Sequence, residues 1–274
     1  MRISAKTPVY CVIGHPVGHS LSPLMHNAAF ETAGIHGVYV GFDTNDSAGA
    51  ADSIRALGIS GASVTIPHKV DIMARLDEID DNARQIGAVN TIVNREGKLS
   101  GSNTDGIGAV RAMEEYAPAS GKKALIIGAG GAARAVCHGL MQKSARVYIA
   151  NRTHEKAQML AGDLKAQPIA MDEVSGESFD ILINTTSVGM HPDTDAMPVP
   201  ESVLRPGMCV MDIIYNPLFT KLLKRAESLG CRIIDGAGMF VYQGAAQFSL
   251  WTGKHAPVKQ MRQAVYDHLN SLDK

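Results

Sequence analysis

The run Ala124-Leu-Ile-Ile-Gly128-Ala129-Gly130-Gly131-Ala132-Ala133-Arg134 has the spacing of a dinucleotide cradle, an apolar strand entering a glycine turn that opens an amphipathic helix. Gly128 suits the tight turn, Gly130 lets backbone approach a pyrophosphate, and Ala133 is small enough for helix-on-strand contact. The helix N-terminus adds free N–H donors. A tight turn that binds nothing is the plainer use of the same glycines. The next predicted strand ends in Asn151-Arg152-Thr153, not in the carboxylate that would accept from a ribose 2′-OH. A guanidinium there, with Lys156 one turn on, fits a 2′-phosphate, so NADP(H) is the expected cofactor. Otherwise Arg152 is a solvated charge and Thr153 only a helix cap.

Hydride transfer at a secondary alcohol must be matched by movement of the hydroxyl proton, and Lys69 and Asp105 are the acid–base candidates. Taken alone, an exposed surface pair is the plainer reading of these two. Ser20 and Ser22 in His19-Ser-Leu-Ser-Pro, Thr65, Asn90 and Asn103-Thr-Asp105-Gly join them, mostly beside predicted strand ends where open α/β sheets collect ligands. Hydroxyls, amides, one Lys and one Asp suit a small polyhydroxylated ligand better than an apolar one. No metal is expected: His15 and His19 flank Pro16 and Gly18 in a loop, and no H-E-x-x-H or cysteine ligand set accompanies them. Met159, Met190 and Met239 read as core fillers.

The elements that must hold these residues alternate. Apolar, β-branched runs fall at 8–14, 38–42, 62–67, 124–127, 146–150, 180–183, 209–213 and 231–235. Helical spacing separates them, with Ala133, Val136, Cys137 and Leu140 on one stripe and Ala157, Leu160, Ala161 and Leu164 on another. Strand–helix alternation implies an α/β fold with parallel sheets. A composition change near 105–123 marks a domain junction.

A length of 274 residues allows one large or two modest domains. The 26 basic and 27 acidic side chains leave a formal charge of −1, so no global field favours nucleic acid or an acidic membrane. Four scattered cysteines without a C-x-x-C pair imply reduced thiols, and the first thirty residues lack a signal-peptide pattern, so a cytoplasmic location is expected. Residues 236–253 carry no charge, yet four glycines and two glutamines make a poor bilayer span and read as a buried functional segment.

Together, Ser20-Leu-Ser-Pro, Thr65-Ile-Pro-His-Lys69, Gly87-Ala-Val-Asn90-Thr, Asn103-Thr-Asp105-Gly, the Gly128 loop, Asn151-Arg-Thr, Thr186-Ser-Val-Gly-Met190, Asp212-Ile-Ile-Tyr215-Asn-Pro and Gly238-Met-Phe-Val-Tyr-Gln243 resemble the shikimate dehydrogenase family over nearly the whole chain. The resemblance implies reversible NADPH-dependent reduction of 3-dehydroshikimate to shikimate. It implies Lys69 and Asp105 as the catalytic pair, Ser20 and Ser22 on the substrate carboxylate, Thr65, Asn90 and Gln243 on ring hydroxyls, and Tyr215 on the substrate side. On the cofactor side it implies Gly128 to Ala132 at the phosphates, Asn151 to Lys156 at the adenosine phosphate, Ile213 and Gly236 at the nicotinamide, and Asp81 as a further contact. Gln247, one turn after Gln243, is an expected neighbour.

The resemblance further implies an α/β substrate domain over 1–105, completed by helices in 239–274, and a Rossmann-type NADP domain over 106–238. A cleft between them would close on the ligands. The chain is expected to act as a monomer or homodimer, without nucleic-acid or membrane partners. A quinate or dual-specificity dehydrogenase is the enzymatic alternative. A catalytically silent nucleotide-binding sensor is the other.

Overall fold

The computed structural model describes residues 3–272, and the chain divides into two compact units. The first comprises Met1–Thr104 and Gln243–His268, the second Asp105–Tyr242 and Leu269–Lys274. The first unit begins β1 (Val9–Gly14), α1 (Ser22–Thr32), β2 (Val38–Asp43), α2 (Ser47–Ala56) and β3 (Gly61–Val64). It continues through β4 (Glu78–Ile79), α3 (Asp81–Ile86), β5 (Thr91–Arg95) and β6 (Lys98–Ser102). The sheet order is β2-β1-β3-β5-β6-β4, with β5 antiparallel to both neighbours and every other pairing parallel.

β1 lies between β2 and β3 and is covered on both faces, so it reads as a continuous apolar run, and Cys11, Val12 and Ile13 are all buried. The run at 62–67 extends too far as a strand expectation. β3 stops at Val64, and Thr65 N–H, after donating to Ile13 C=O (2.9 Å), leads into a turn closed by His68 N–H on Thr65 C=O (3.0 Å). The β5–β6 hairpin is an addition to the expected parallel strands. Glu96 and Gly97 both take positive φ (54° and 87°), as a type I′ turn requires.

The C-terminal part of this unit carries α8 (Gly236–Thr252) from Gln243 onward and α9 (Val258–Leu272) as far as His268. Trp251 Nε1–H donates to Ile92 C=O (2.9 Å), over the strand position where Gly61 leaves room for its ring. Gly244 likewise admits Met25 of α1. Beside it, His26 is wholly buried, stacked on Tyr39 with ring centroids 4.6 Å apart. Burial pushes its pKa down to about 3, with a smaller opposing contribution from Gln247.

A neutral His26 in the fold and an ordinary imidazole in the unfolded chain fix the sign of a pH effect. Stability is complete above about pH 6.5 and falls as acid protonates the unfolded chain, by about 1.4 kcal/mol per pH unit down to about pH 3. Urea unfolding between pH 7.5 and 5 should therefore show a slope one proton steeper than that of His26→Leu. Equal slopes would show that the imidazole is not held neutral.

The second unit opens with α4 (Asp105–Glu114), β7 (Lys123–Ile127), α5 (Gly131–Gln142), β8 (Arg146–Ala150), α6 (His154–Leu164) and β9 (Gln167–Pro168). β10 (Ile181–Asn184), β11 (Cys209–Asp212), α7 (Lys221–Ser228) and β12 (Arg232–Ile234) follow, and the first residues of α8 close the unit. Its sheet is wholly parallel in the order β12-β11-β10-β7-β8-β9, the doubly wound arrangement whose direction reverses between β7 and β10. The two apolar stripes lie where their spacing puts them, with Ala133, Val136, Cys137 and Leu140 of α5 and Ala157, Leu160 and Ala161 of α6 in one core.

Two of the three methionines depart from expectation. Met239 is buried, but Met159 lies off the apolar stripe of α6 and is 69% exposed, and Met190 sits exposed in a loop. Helix α4 packs tightly on α5, since a Cβ on Gly106 would lie 2.5 Å from Ala135 C=O. Among the described residues no helix is long and apolar enough to cross a membrane.

Candidate functional site

In the first unit the polar residues gather at one edge of the sheet. β1, β3 and β6 all end there, and antiparallel β5 begins there, so Ser20, Thr65, Lys69, Asn90 and Thr104 follow or precede strand ends on the same side. Backbone bonds stitch the loops together. His15 N–H donates to Ile66 C=O (2.8 Å), Val64 N–H to Asn90 C=O (2.8 Å), and Val89 N–H to Lys69 C=O (2.7 Å). The last of these holds the half-buried Lys69 beside the segment that carries Asn90.

Asn90 is buried and its amide has one allowed orientation. Thr104 N–H, which can only donate, meets Oδ1 at 2.8 Å, and the Thr91 hydroxyl donates to the same oxygen at 2.7 Å. Nδ2 must therefore face the other way, where it donates to Thr104 Oγ1 (3.0 Å) and reaches Gln243 Oε1 (3.5 Å). Ser20 and Ser22 stand at the start of α1, the Ser20 hydroxyl donating to Ser22 Oγ (3.2 Å). The Ser22 N–H donates to Ser20 Oγ (3.3 Å), and the paired hydroxyls suit a carboxylate.

His15 contacts Asp43 Oδ1 through Nδ1 (2.5 Å), and the buried His68 contacts Thr44 C=O through Nε2 (2.6 Å). Among the described residues no group of three or more His, Cys, Asp or Glu side chains is arranged to hold a metal ion. Asp81 is exposed in the first turn of α3, and nothing in the unit adds support to its expected cofactor contact.

In the second unit Asp105 is buried as the first residue of α4. Gly128 has φ +119°, a conformation L side chains rarely adopt, and a Cβ there would lie 2.5 Å from Thr185 Oγ1. Gly130 faces open space at the N-cap of the 12-residue α5, with Ala129, Gly131 and Ala132 around it. This turn lies at the carboxyl end of β7, at the point where strand order reverses, so residues and geometry both fit a dinucleotide pyrophosphate.

After β8, the Asn151 Nδ2 donates to Thr153 C=O (2.9 Å), shaping the turn into α6. Arg152 and Lys156 are exposed and form no ion pair among the described residues, and Thr153 occupies the N-cap without a side-chain capping bond. Two uncommitted cations and an uncommitted hydroxyl fit a 2′-phosphate, while Thr153 also stands at the helix cap as the plainer reading has it.

Ile213 and Gly236 meet directly, because a Cβ on Gly236 would strike the backbone of Ile213 and Ile214. Tyr215 packs on Phe240 with ring centroids 5.1 Å apart, and burial pushes its phenol pKa up. Spacing alone does not single out the residues that shape this loop. Asp212, fully buried, accepts from Asn184 Nδ2 (3.0 Å), Ile214 N–H (3.1 Å) and the Thr220 hydroxyl (2.8 Å). Burial outweighs these donors and pushes its carboxyl pKa up to about 6. A carboxylate ending a wholly apolar strand is the signal that marks it in the sequence.

Three family profiles match the chain. The shikimate dehydrogenase substrate binding domain covers residues 12–92, shikimate / quinate 5-dehydrogenase covers 111–198, and the shikimate 5′-dehydrogenase C-terminal domain covers 236–266. A shikimate dehydrogenase (NADP(+)) of Geobacillus kaustophilus is 50% identical over 271 residues, spanning 95% of this chain and 98% of that one. A shikimate dehydrogenase crystallised with NADP+ superposes with a TM-score of 0.93 at 47% identity, covering 98% of each chain. The Thermus thermophilus enzyme, crystallised with NADP(H) and shikimate, gives 0.90 at 35% identity over 95% of this chain and 99% of that one. On identity sustained across both units, the chain belongs to the shikimate dehydrogenase family.

Proposed function

We propose that this protein catalyses the reversible, NADPH-dependent reduction of 3-dehydroshikimate to shikimate. The observation that carries the reading is the bonding of the Lys69 loop to the Asn90 segment at one sheet edge, in a chain of this family. NADPH, when bound, supplies the hydride to the ring carbonyl carbon. Lys69 then delivers a proton to the carbonyl oxygen and recovers one from solvent, with Asp105 as the other member of the proposed catalytic pair. Ser20 and Ser22 take the carboxylate. Thr65, Asn90 and Gln243 orient the ring hydroxyls, with Tyr215 as a further substrate contact.

Gly128 to Ala132 would cradle the pyrophosphate, Asn151 to Lys156 the adenosine phosphate, and Ile213 with Gly236 the nicotinamide. The absence of a carboxylate at the end of β8 and the uncommitted Arg152 and Lys156 support NADP(H) over NAD. Residues 1–105 with 239–274 form the proposed substrate domain and 106–238 the proposed nucleotide domain. The proposed enzyme works in the cytoplasm as a monomer or homodimer.

Steady-state rates on shikimate and quinate with NADP+ and NAD+ test this reading. Shikimate with NADP+ should give the highest kcat/KM. A higher value for quinate with NAD+ would replace it with the quinate dehydrogenase alternative.

A further inference from the structure

Beneath the polar edge of the first unit runs a buried chain of side-chain hydrogen bonds that the reaction itself does not use. The Tyr39 hydroxyl donates to Ser63 Oγ (2.6 Å), and the Ser63 hydroxyl donates to Gln247 Oε1 (2.8 Å). Gln247 Nε2 donates to Thr91 Oγ1 (3.1 Å), and the Thr91 hydroxyl donates to Asn90 Oδ1 (2.7 Å). All five residues are buried, and they come from β2, β3, α8 and the entry to β5.

Every donor in this chain points the same way, from Tyr39 toward Asn90. A hydroxyl that accepts on one side is polarised to donate more strongly on the other, so the chain strengthens as a unit. Its direction also has a consequence at the end. The Thr91 hydroxyl accepts from Gln247 and donates to Asn90 Oδ1, its shorter contact, and together with Thr104 N–H on the same oxygen this leaves Nδ2 as the edge of the amide turned toward Gln243.

Gln247 itself has no N–H left for a ligand. Its two amide protons go to Thr91 Oγ1 and to Asn90 C=O (3.1 Å), and its oxygen accepts from Ser63. We infer that Gln247 is a positioning residue, which, with Tyr39, Ser63 and Thr91, fixes the amide of Asn90 with its N–H edge turned toward Gln243, the side on which a substrate hydroxyl would replace the long 3.5 Å contact to Gln243 Oε1. This inference rests on the proposed contact between Asn90 and the substrate ring.

The test measures shikimate and NADP+ KM values, kcat and thermal midpoints for Gln247→Met, Thr91→Val and Thr91→Ser, each alone and combined with Asn90→Ala. Gln247→Met and Thr91→Val should raise shikimate KM about tenfold, with NADP+ KM unchanged and kcat altered less than about threefold. Thr91→Ser keeps the hydroxyl and should restore wild-type KM. In the Asn90→Ala background the same two substitutions should add less than about twofold, because the group they orient is gone.

Should Thr91→Val fail to fold, Tyr39→Phe, which removes only the head of the chain, takes its place with the same expected pattern. Equal KM increases with and without Asn90, or a parallel rise in NADP+ KM, would reduce the chain to general packing and overturn the inference. A large effect of Asn90→Ala with none from Gln247→Met would overturn it while leaving the substrate reading intact. A silent Asn90→Ala would overturn both.

Discussion

Lys69→Ala should lower kcat by about 10²-fold or more while shikimate KM changes modestly, the pattern of a lost acid–base group. The Lys69 backbone is held by Val89 N–H on its carbonyl (2.7 Å), a bond that alanine keeps. The loop from Thr65 is pinned independently by His68, whose N–H donates to Thr65 C=O and whose ring meets Thr44 C=O. The substitution therefore removes the ammonium and leaves its setting, so the loss belongs to the chemical step. NADPH binding, measured by fluorescence titration, should survive. An unchanged kcat would reassign the proton to another group. A wild-type chain that binds NADPH yet turns over nothing would favour the silent sensor.

Arg152→Ala should weaken NADPH binding by about 1.5 to 3 kcal/mol, roughly 10- to 150-fold in Kd, the range for hydrogen bonds to a charged group. NADH binding should barely change. Arg152 is exposed and forms no ion pair among the described residues, so its removal strands no buried charge and costs little stability. Asn151 shapes the turn through Thr153 C=O without help from the guanidinium. Calorimetric titration with both nucleotides decides the matter. Equal losses for NADPH and NADH would remove the case for 2′-phosphate selectivity and leave Arg152 as a solvated charge.

Legibility in the sequence followed how local each feature was. The α5 and α6 stripes could be read from spacing, since a helix buries what falls at three and four residues apart. The Gly128 turn was equally local, because its φ of +119° is a demand on one residue. The β5–β6 hairpin was harder. Its turn is Glu96-Gly97 in place of the commoner Asn-Gly or Asp-Gly, and the flanking segments lack a clean alternation. The exposed Met159 shows the limit of residue type as a guide when helical phase points outward.

What the sequence alone determined is the chemistry available: a glycine turn between strand and helix, cations in place of a ribose-binding acid, and a Lys with hydroxyls and amides beside strand ends. Those signals depend on side-chain type and short-range backbone rules, which the chain carries wherever it folds. Only tertiary structure decided which way the Asn90 amide faces, that Gln247 from the distant α8 commits both its protons to β5 and its entry, and that Asp212 organises the loop bearing Ile213 and Tyr215. The Gln247 bonds join residues more than a hundred positions apart and have no local signature, and even the shorter-range bonds of Asn90 and Asp212 leave their geometry unwritten in spacing. They exist because burial forces each polar group to find a partner, and the partner is whichever group packing delivers.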